Sequence, residues 1–145
     1  MYEIVIRIHI IISSLFYITA AIVVSWSIIG WVKNFKASRT YNRFSFVFIH
    51  VLYLQLITGV TLYFFLKPEA QSAGLSIEEA ALQSSLRFWA IEHVSLMLFA
   101  LILSQIGRLL IKNITSDRKK FRAATLYFGV SFIGVFASAA MALFR

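Results

Sequence analysis

The sequence has no cysteine, a single proline and only six acidic residues. Without cysteine the chain has no disulfide, thiolate metal site, iron–sulfur cluster, c-type haem attachment or cysteine nucleophile. It also lacks a glycine-rich phosphate loop, a hydrolase nucleophile elbow and a His-x-x-x-His metal motif. Hydrolase and transferase chemistry are therefore not indicated, and any enzymatic role is at most that of an electron-transfer subunit.

Apolar residues are in excess, at 60% of the 145 residues, with a mean hydropathy of +0.82. An ordinary soluble domain contains about 45–50%. The excess falls in four blocks, at about residues 4–32, 44–66, 88–111 and 123–144. Each block exceeds the roughly 20 residues that cross a bilayer as a helix. We predict an all-α, up-down bundle of four transmembrane helices in one domain, residues 1–145, with the first block kept as a span rather than cleaved as a signal.

Basic residues are concentrated in two of the three connections between these blocks. Loop 33–43 has no acidic residue, and loop 112–122 has only Asp117. Loop 67–87 carries three glutamates against two basic residues. Because Lys and Arg mark the cytoplasmic side, the two basic loops are predicted to be cytoplasmic, and loop 67–87 and both termini extracytoplasmic. Topology also accounts for the net charge of +8 without a nucleic-acid partner.

All three histidines, His9, His50 and His93, lie in predicted spans. Ionisable groups in a bilayer are costly and usually face a partner or a cavity. A bis-histidine haem b needs two imidazoles at similar depth on facing helices. His9 and His93 share the outer half, although His9 lies about one to two helical turns further out, whereas His50 lies roughly 15 Å from His93 along the membrane normal. His9 and His93 are thus the favoured haem-iron ligands, and His50 is a less favoured one.

An acidic residue, Glu92, directly precedes His93 in the third span. Adjacent residues of a helix point about 100° apart. Glu92 is therefore predicted to form a structural ion pair with Arg7 of the first span rather than to orient His93.

Two other interpretations of the histidines stay open. Each imidazole could simply hydrogen-bond a neighbouring helix and hold the bundle together. His50 could instead form one wall of a quinone or lipid headgroup pocket with Tyr53 or Gln55. In the fourth span, small residues recur at Gly134, Ser138 and Ala142. That spacing allows close helix approach, either inside the bundle or in a dimer.

Short motifs in three of the four spans occur in one known pattern. They are His9 in the first span, His50 with Gln55-Leu-Ile-Thr-Gly59 and Leu62-Tyr63-Phe64 in the second, and Arg87-Phe-Trp-Ala-Ile-Glu-His93, Leu96-Met97-Leu98 and Ile106-Gly107-Arg108 around the third. Together they resemble a small bacterial four-helix membrane family labelled cytochrome b-like, over nearly the whole chain. The resemblance implies haem b, membrane electron transfer and the bacterial inner membrane, with His9 and His93 at the matching positions.

Three functions follow as hypotheses. The first is a cytochrome b-like subunit that binds haem b and passes electrons within a larger respiratory-type assembly or to quinone. The second is a haem-free accessory subunit that contacts membrane lipids and other membrane-protein subunits. The third is a small oligomeric transporter, which is disfavoured because few polar residues line any one span and no pair of helices is broken by glycine or proline.

Overall fold

The computed structural model describes residues 1–63 and 87–143, with only the backbone described at residues 89, 90, 142 and 143. In these ranges the chain forms four long helices, which are α1 (Tyr2–Lys33), α2 (Arg39–Thr61), α3 (Val94–Asn113) and α4 (Asp117–Leu143), and a π-helical segment, Phe88–His93, that leads directly into α3. Four helices are long and apolar enough to cross a membrane. The prediction of an all-α bundle of four transmembrane helices is confirmed. Loop 67–87, apart from Arg87, and the predicted span ends at 64–66 and 144 lie outside the described residues.

Two helices begin earlier than the apolar blocks predict, because their first turns consist of polar and charged residues that lie outside those blocks. Ser38 precedes α2, and its hydroxyl accepts a hydrogen bond from the Tyr41 backbone N–H at 3.1 Å. Asp117 opens α4 with a negative charge at the helix N-terminus. At the other side of the first connection, α1 ends where Asn34 adopts a left-handed conformation with φ of 55°, as residues after a helix often do.

The helices pack in a ring, with α1 against α2, α2 against α3, α3 against α4 and α4 against α1. The connections 34–38 and 114–116 are short, so the helices they join run antiparallel. Helices α1 and α3 therefore lie diagonally across the bundle, as do α2 and α4. The start of α1, the end of α2, the start of α3 and the end of α4 share one end of the bundle.

Buried residues recur along each helix at intervals of three and four. In α4 they are Phe121, Ala124, Phe128, Ser131, Val135 and Ser138. This spacing is typical of helices that pack at a shallow left-handed angle. Only 22–33% of the residues of each span are buried inside the bundle. The outward faces carry many exposed isoleucine, leucine and phenylalanine side chains, which suit contact with membrane lipid.

The bundle is closely packed at the end where the two basic connections lie. Aromatic rings fill the space between the helices. The ring centroids of Tyr41 and Phe121 are 4.9 Å apart, and the centroid of Phe48 lies 5.4 Å from that of Phe16 and 5.3 Å from that of Phe128. These five residues define the aromatic half of the bundle. Gly30 lets α1 approach this cluster, because a Cβ atom there would lie 2.8 Å from the Phe121 ring.

Candidate cofactor site

The opposite half of the bundle contains a cavity of about 570 Å³. Its walls come from all four helices, over residues 2–17 of α1, 55–63 at the end of α2, 93–97 at the start of α3 and 135–139 of α4. We call it the histidine cavity because it contains His9 and His93. Among the described residues that line it none has a permanent charge, and most are apolar. The cavity therefore suits a largely apolar ligand with a few polar contacts.

His9 is held by a threonine of the neighbouring helix. Its Nδ1 lies 2.8 Å from Thr58 Oγ1. The Thr58 hydroxyl donates to the backbone carbonyl groups of Leu54 and Gln55, at 2.9 and 3.1 Å. Since a hydroxyl has one hydrogen, Thr58 Oγ1 accepts from the N–H at Nδ1 of His9. A neutral His9 then has its lone pair on Nε2, the nitrogen through which a histidine commonly binds a metal.

His93 is held by a serine in a corresponding way. Its Nδ1 and Ser138 Oγ share a hydrogen bond of 2.6 Å. His93 is the last residue of the π-helical segment, and Ser138 is fully buried on α4. A π-helical turn contains more residues than an α-helical turn, and such turns occur frequently at functional sites. Leu62 and Tyr63, at the end of α2, are also π-helical and line the same cavity.

The two imidazoles thus enter one cavity from diagonal helices. The sequence predicted that His9 and His93 share one half of the membrane, but with His9 further out. In the structure both line the histidine cavity. Each is fixed at Nδ1 by a hydroxyl group from a neighbouring helix, which is how the second shell of a metal site commonly orients a histidine.

Gln55 is a third polar residue of the cavity, and it is 4% exposed. Its Nε2 donates to Ser13 Oγ at 3.1 Å, and Ser13 donates to the backbone carbonyl of His9 at 2.8 Å. In the described part of the chain, Gln55 Oε1 is buried and has no hydrogen-bond donor. A buried acceptor without a donor is costly, so a ligand that brings a hydroxyl or N–H group would stabilise this side chain.

His50 lies apart from this site. It is exposed on the outer face of α2, where its Nδ1 donates to the backbone carbonyl of Phe46 at 2.8 Å. Its ring packs on the Phe46 ring, with 3.8 Å between centroids. Tyr53, also exposed, accepts a hydrogen bond from Gln105 at 2.6 Å. Of the two partners considered for His50, Gln55 faces the interior, whereas Tyr53 lies beside His50 on the outer face, with 6.5 Å between the ring centroids.

Glu92 pairs with a different arginine from the one predicted. Its Oε1 lies 3.1 Å from Nε of Arg87, five residues earlier on the same helix. The π-helical turn explains the change, because it bonds residues five positions apart and so brings Arg87 and Glu92 onto one face. Among the described ion pairs Arg7 has no carboxylate partner, and its side chain is exposed. The Arg87–Glu92 pair replaces the predicted Arg7–Glu92 pair.

The histidine cavity has two imidazoles as its candidate metal ligands. In residues 1–63 and 87–143 no three His, Cys, Asp or Glu side chains group together to hold a metal ion. A haem iron needs only two axial imidazoles, since the porphyrin supplies the other ligands. His9 and His93 are therefore the residues that could hold a metal cofactor here.

Three residues of the site were not predicted as such. In the sequence, Thr58 and Gly59 stand out only as part of the motif Gln55-Leu-Ile-Thr-Gly59, and Ser138 only as a small residue of the fourth span. A Cβ atom at Gly59 would lie 3.3 Å from Cε1 of His9, so this glycine allows the imidazole to pack against α2. The available sequence signal for Ser138 is its spacing of seven residues after Ser131 in the fourth span.

Comparison with known proteins adds no family to this picture. No family model matches the chain, and no curated protein or solved structure matches it.

Proposed function

We propose that this protein binds haem b between His9 and His93 and passes electrons within the membrane as a subunit of a larger respiratory-type assembly. One observation carries the proposal. Two imidazoles from diagonal helices line a single apolar cavity, and each is fixed at Nδ1 by a neighbouring hydroxyl group.

The residues present fit such a group. The cavity volume of about 570 Å³ lies within the range of small-molecule and cofactor sites, about 300–1,000 Å³. Imidazole is a common axial ligand of haem iron, and a four-helix bundle commonly places such ligands on facing helices. When bound, haem b supplies a one-electron carrier whose potential depends on its axial ligands and on the polarity around it.

The residues of the chain would orient the two imidazoles and keep water away from the bound group. Thr58 fixes the tautomer and ring orientation of His9, and Ser138 restrains His93. Gly59 leaves room for the His9 ring. Val135 and Met97 belong to the apolar lining, which lowers the local polarity around the two imidazoles.

The absorbance of the purified protein tests this function. Protein expressed with an adequate haem supply should show a Soret band and a sharp alpha band in the reduced-minus-oxidised spectrum. His9→Ala and His93→Ala should each abolish the low-spin spectrum, because each removes one axial ligand. His50→Ala is the matched control and should keep it, since His50 lies outside the cavity. Size-exclusion profiles and far-UV circular dichroism verify folding in every variant. A folded, colourless wild-type protein, or equal loss in His50→Ala, would contradict the proposal.

A haem-free accessory subunit is the second candidate, and the same hydrogen bonds favour it. The His9–Thr58 bond joins α1 to α2, and the His93–Ser138 bond joins α3 to α4. In that case the histidines act as ties between helices. Co-purification with other membrane subunits at fixed stoichiometry, without a haem spectrum, is the expected result for this candidate.

Quinol is an alternative occupant of the histidine cavity. Its hydroxyl groups are donors of the kind that Gln55 Oε1 lacks among the described residues. Organic extraction of the purified protein, followed by chromatography, should then recover quinone in proportion to protein. Recovery from Gln55→Leu equal to that from wild type would argue against this role.

We further propose the bacterial inner membrane as the location, with loops 33–43 and 112–122 in the cytoplasm. Loop 67–87 and both termini are then extracytoplasmic. The support is the charge distribution, because positively charged loops remain on the cytoplasmic side. In this orientation the histidine cavity opens toward the outer leaflet and the aromatic half lies toward the cytoplasm.

A further inference from the structure

A second concave site lies at the other end of the bundle, between the first turns of α2 and the last turns of α3. It is an open cleft of about 470 Å³, lined by Arg39, Asn42, Arg43, Phe46, Val47 and Arg108. We call it the arginine cleft. It shares no residue with the histidine cavity.

Positive charge in this cleft is not compensated by the protein. No aspartate or glutamate lines it, and none of its three arginines has an ion pair among the described residues. Arg39 and Arg43 are four residues apart on one face of α2, where like charges destabilise a helix. The helix dipole disfavours cations at the N-terminus of α2, and no acidic residue in the first turn of that helix offsets them. A bound anion would offset the uncompensated charge of the cleft, the repulsion between Arg39 and Arg43, and the unfavourable interaction of these arginines with the helix dipole.

The third arginine, Arg108 of α3, is held in place by a residue of the neighbouring helix α2. The guanidinium carbon of Arg108 lies 4.8 Å from the centroid of the Phe46 ring, within the range of a cation–π contact. Arg108 is only partly exposed, whereas Arg39 and Arg43 are exposed. The cleft therefore presents positive charge from two helices around one restrained guanidinium group.

We propose that the arginine cleft binds the phosphate headgroup of an anionic phospholipid. Guanidinium groups match phosphate oxygens in pairs of hydrogen bonds. Below the arginines, Phe46 and Val47 are 45% and 42% exposed on the outer face of a membrane-spanning helix. This apolar wall suits an acyl chain, which a free phosphate ion does not have. Basic pockets between transmembrane helices are known sites for anionic headgroups.

Lipid retention, measured by native mass spectrometry, tests the proposal. The full chain, purified in a neutral detergent, is titrated with phosphatidylglycerol and, separately, with phosphatidylcholine of the same acyl chains. We expect one tightly retained phosphatidylglycerol per protein and no comparable phosphatidylcholine. Arg108→Gln and Arg43→Gln should each weaken retention at least roughly fivefold. Arg118→Gln is the matched control, because it removes the same charge at the same end but outside the cleft, and it should change retention by less than twofold.

Three results would overturn the proposal. Equal weakening by Arg118→Gln and Arg108→Gln would reduce the effect to the general positive field of this end. Equal retention of phosphatidylcholine would remove the role of headgroup charge. Displacement of phosphatidylglycerol by millimolar inorganic phosphate would assign the cleft to a free anion. The assay does not depend on haem, so its outcome is separate from that of the spectral test.

Discussion

At the scale of single residues, two hydroxyl groups set the orientation of the cavity's histidines. Thr58 Oγ1 also donates to its own helix, and in that arrangement it accepts from the N–H at Nδ1 of His9. Ser138 is fully buried and meets Nδ1 of His93 at 2.6 Å. Removal of a group that hydrogen-bonds a metal-binding histidine commonly lowers the affinity for the metal.

Thr58→Val tests this role, because it replaces the hydroxyl group with a methyl group of similar size. Haem retention should fall roughly 10–100-fold, since His9 loses the bond that holds its tautomer. Retention is measured by transfer of haem from the protein to an acceptor protein in excess. Thr61→Val is the control: the Thr61 hydroxyl donates to its own helix at Ile57, and Thr61 does not line the cavity. If both variants retain haem as wild type does, Thr58 has no orienting role.

Much of the site could be predicted from residue type, but its partners could not. Histidine in an apolar span is rare and costly, so His9 and His93 stand out in the sequence. Thr58 and Ser138 do not, because threonine and serine in helices often bond to their own backbone, as Ser14 and Ser131 do here. Which hydroxyl faces which histidine depends on helix rotation, and the sequence alone does not contain it.

At the scale of helices, the π-helical segment before α3 changes what spacing arguments predict. Arguments about which faces point where assume 100° per residue. The segment Phe88–His93 departs from this value, so Glu92 meets Arg87 and not the predicted Arg7. No proline or glycine occurs in the segment to announce the change. The existence of the four spans followed from hydrophobicity, whereas the start of α2 depends on the capping residue Ser38 and α4 begins at the acidic residue Asp117.

Two glycines, Gly30 and Gly134, lie in different packing environments. A Cβ atom at Gly30 would lie 2.8 Å from three carbons of the Phe121 ring, whereas one at Gly134 would meet nothing within 4 Å. Gly30→Ala should therefore destabilise the bundle by about 1–3 kcal/mol through overpacking. Gly134→Ala should leave stability unchanged or raise it by up to about 1 kcal/mol through helix propensity. Thermal unfolding in detergent, followed by far-UV circular dichroism, measures both. Equal midpoints for the two variants would contradict the close packing at Gly30.

At the scale of the whole molecule, the two ends of the bundle differ strongly in charge. The end with the two short connections holds most of the 14 lysine and arginine residues, and Asp117 is the one acidic residue of those connections. This asymmetry is a property of the sequence, and it predicts which side of the membrane each end occupies.

Single cysteine substitutions can test that orientation cleanly, because the chain has no native cysteine. In intact cells, Glu3→Cys should react with a membrane-impermeant maleimide, whereas Lys36→Cys and Ser116→Cys should react only after the membrane is permeabilised. All three positions are exposed, so accessibility to the reagent differs only by side of the membrane. The reverse pattern would place the histidine cavity toward the cytoplasm.

The aromatic half and the histidine cavity differ in how much each depends on a ligand. The Tyr41–Phe121 contact and the contacts of Phe48 with Phe16 and Phe128 stabilise the helix arrangement without a cofactor. The other end surrounds a cavity of about 570 Å³, so we expect it to open more readily. Insertion of the helices and acquisition of a cofactor can therefore be separate events in time. If the histidine cavity takes a ligand as proposed, a newly made chain would reach the membrane as an ordered apoprotein, anchored by its aromatic half, and would acquire that ligand afterwards.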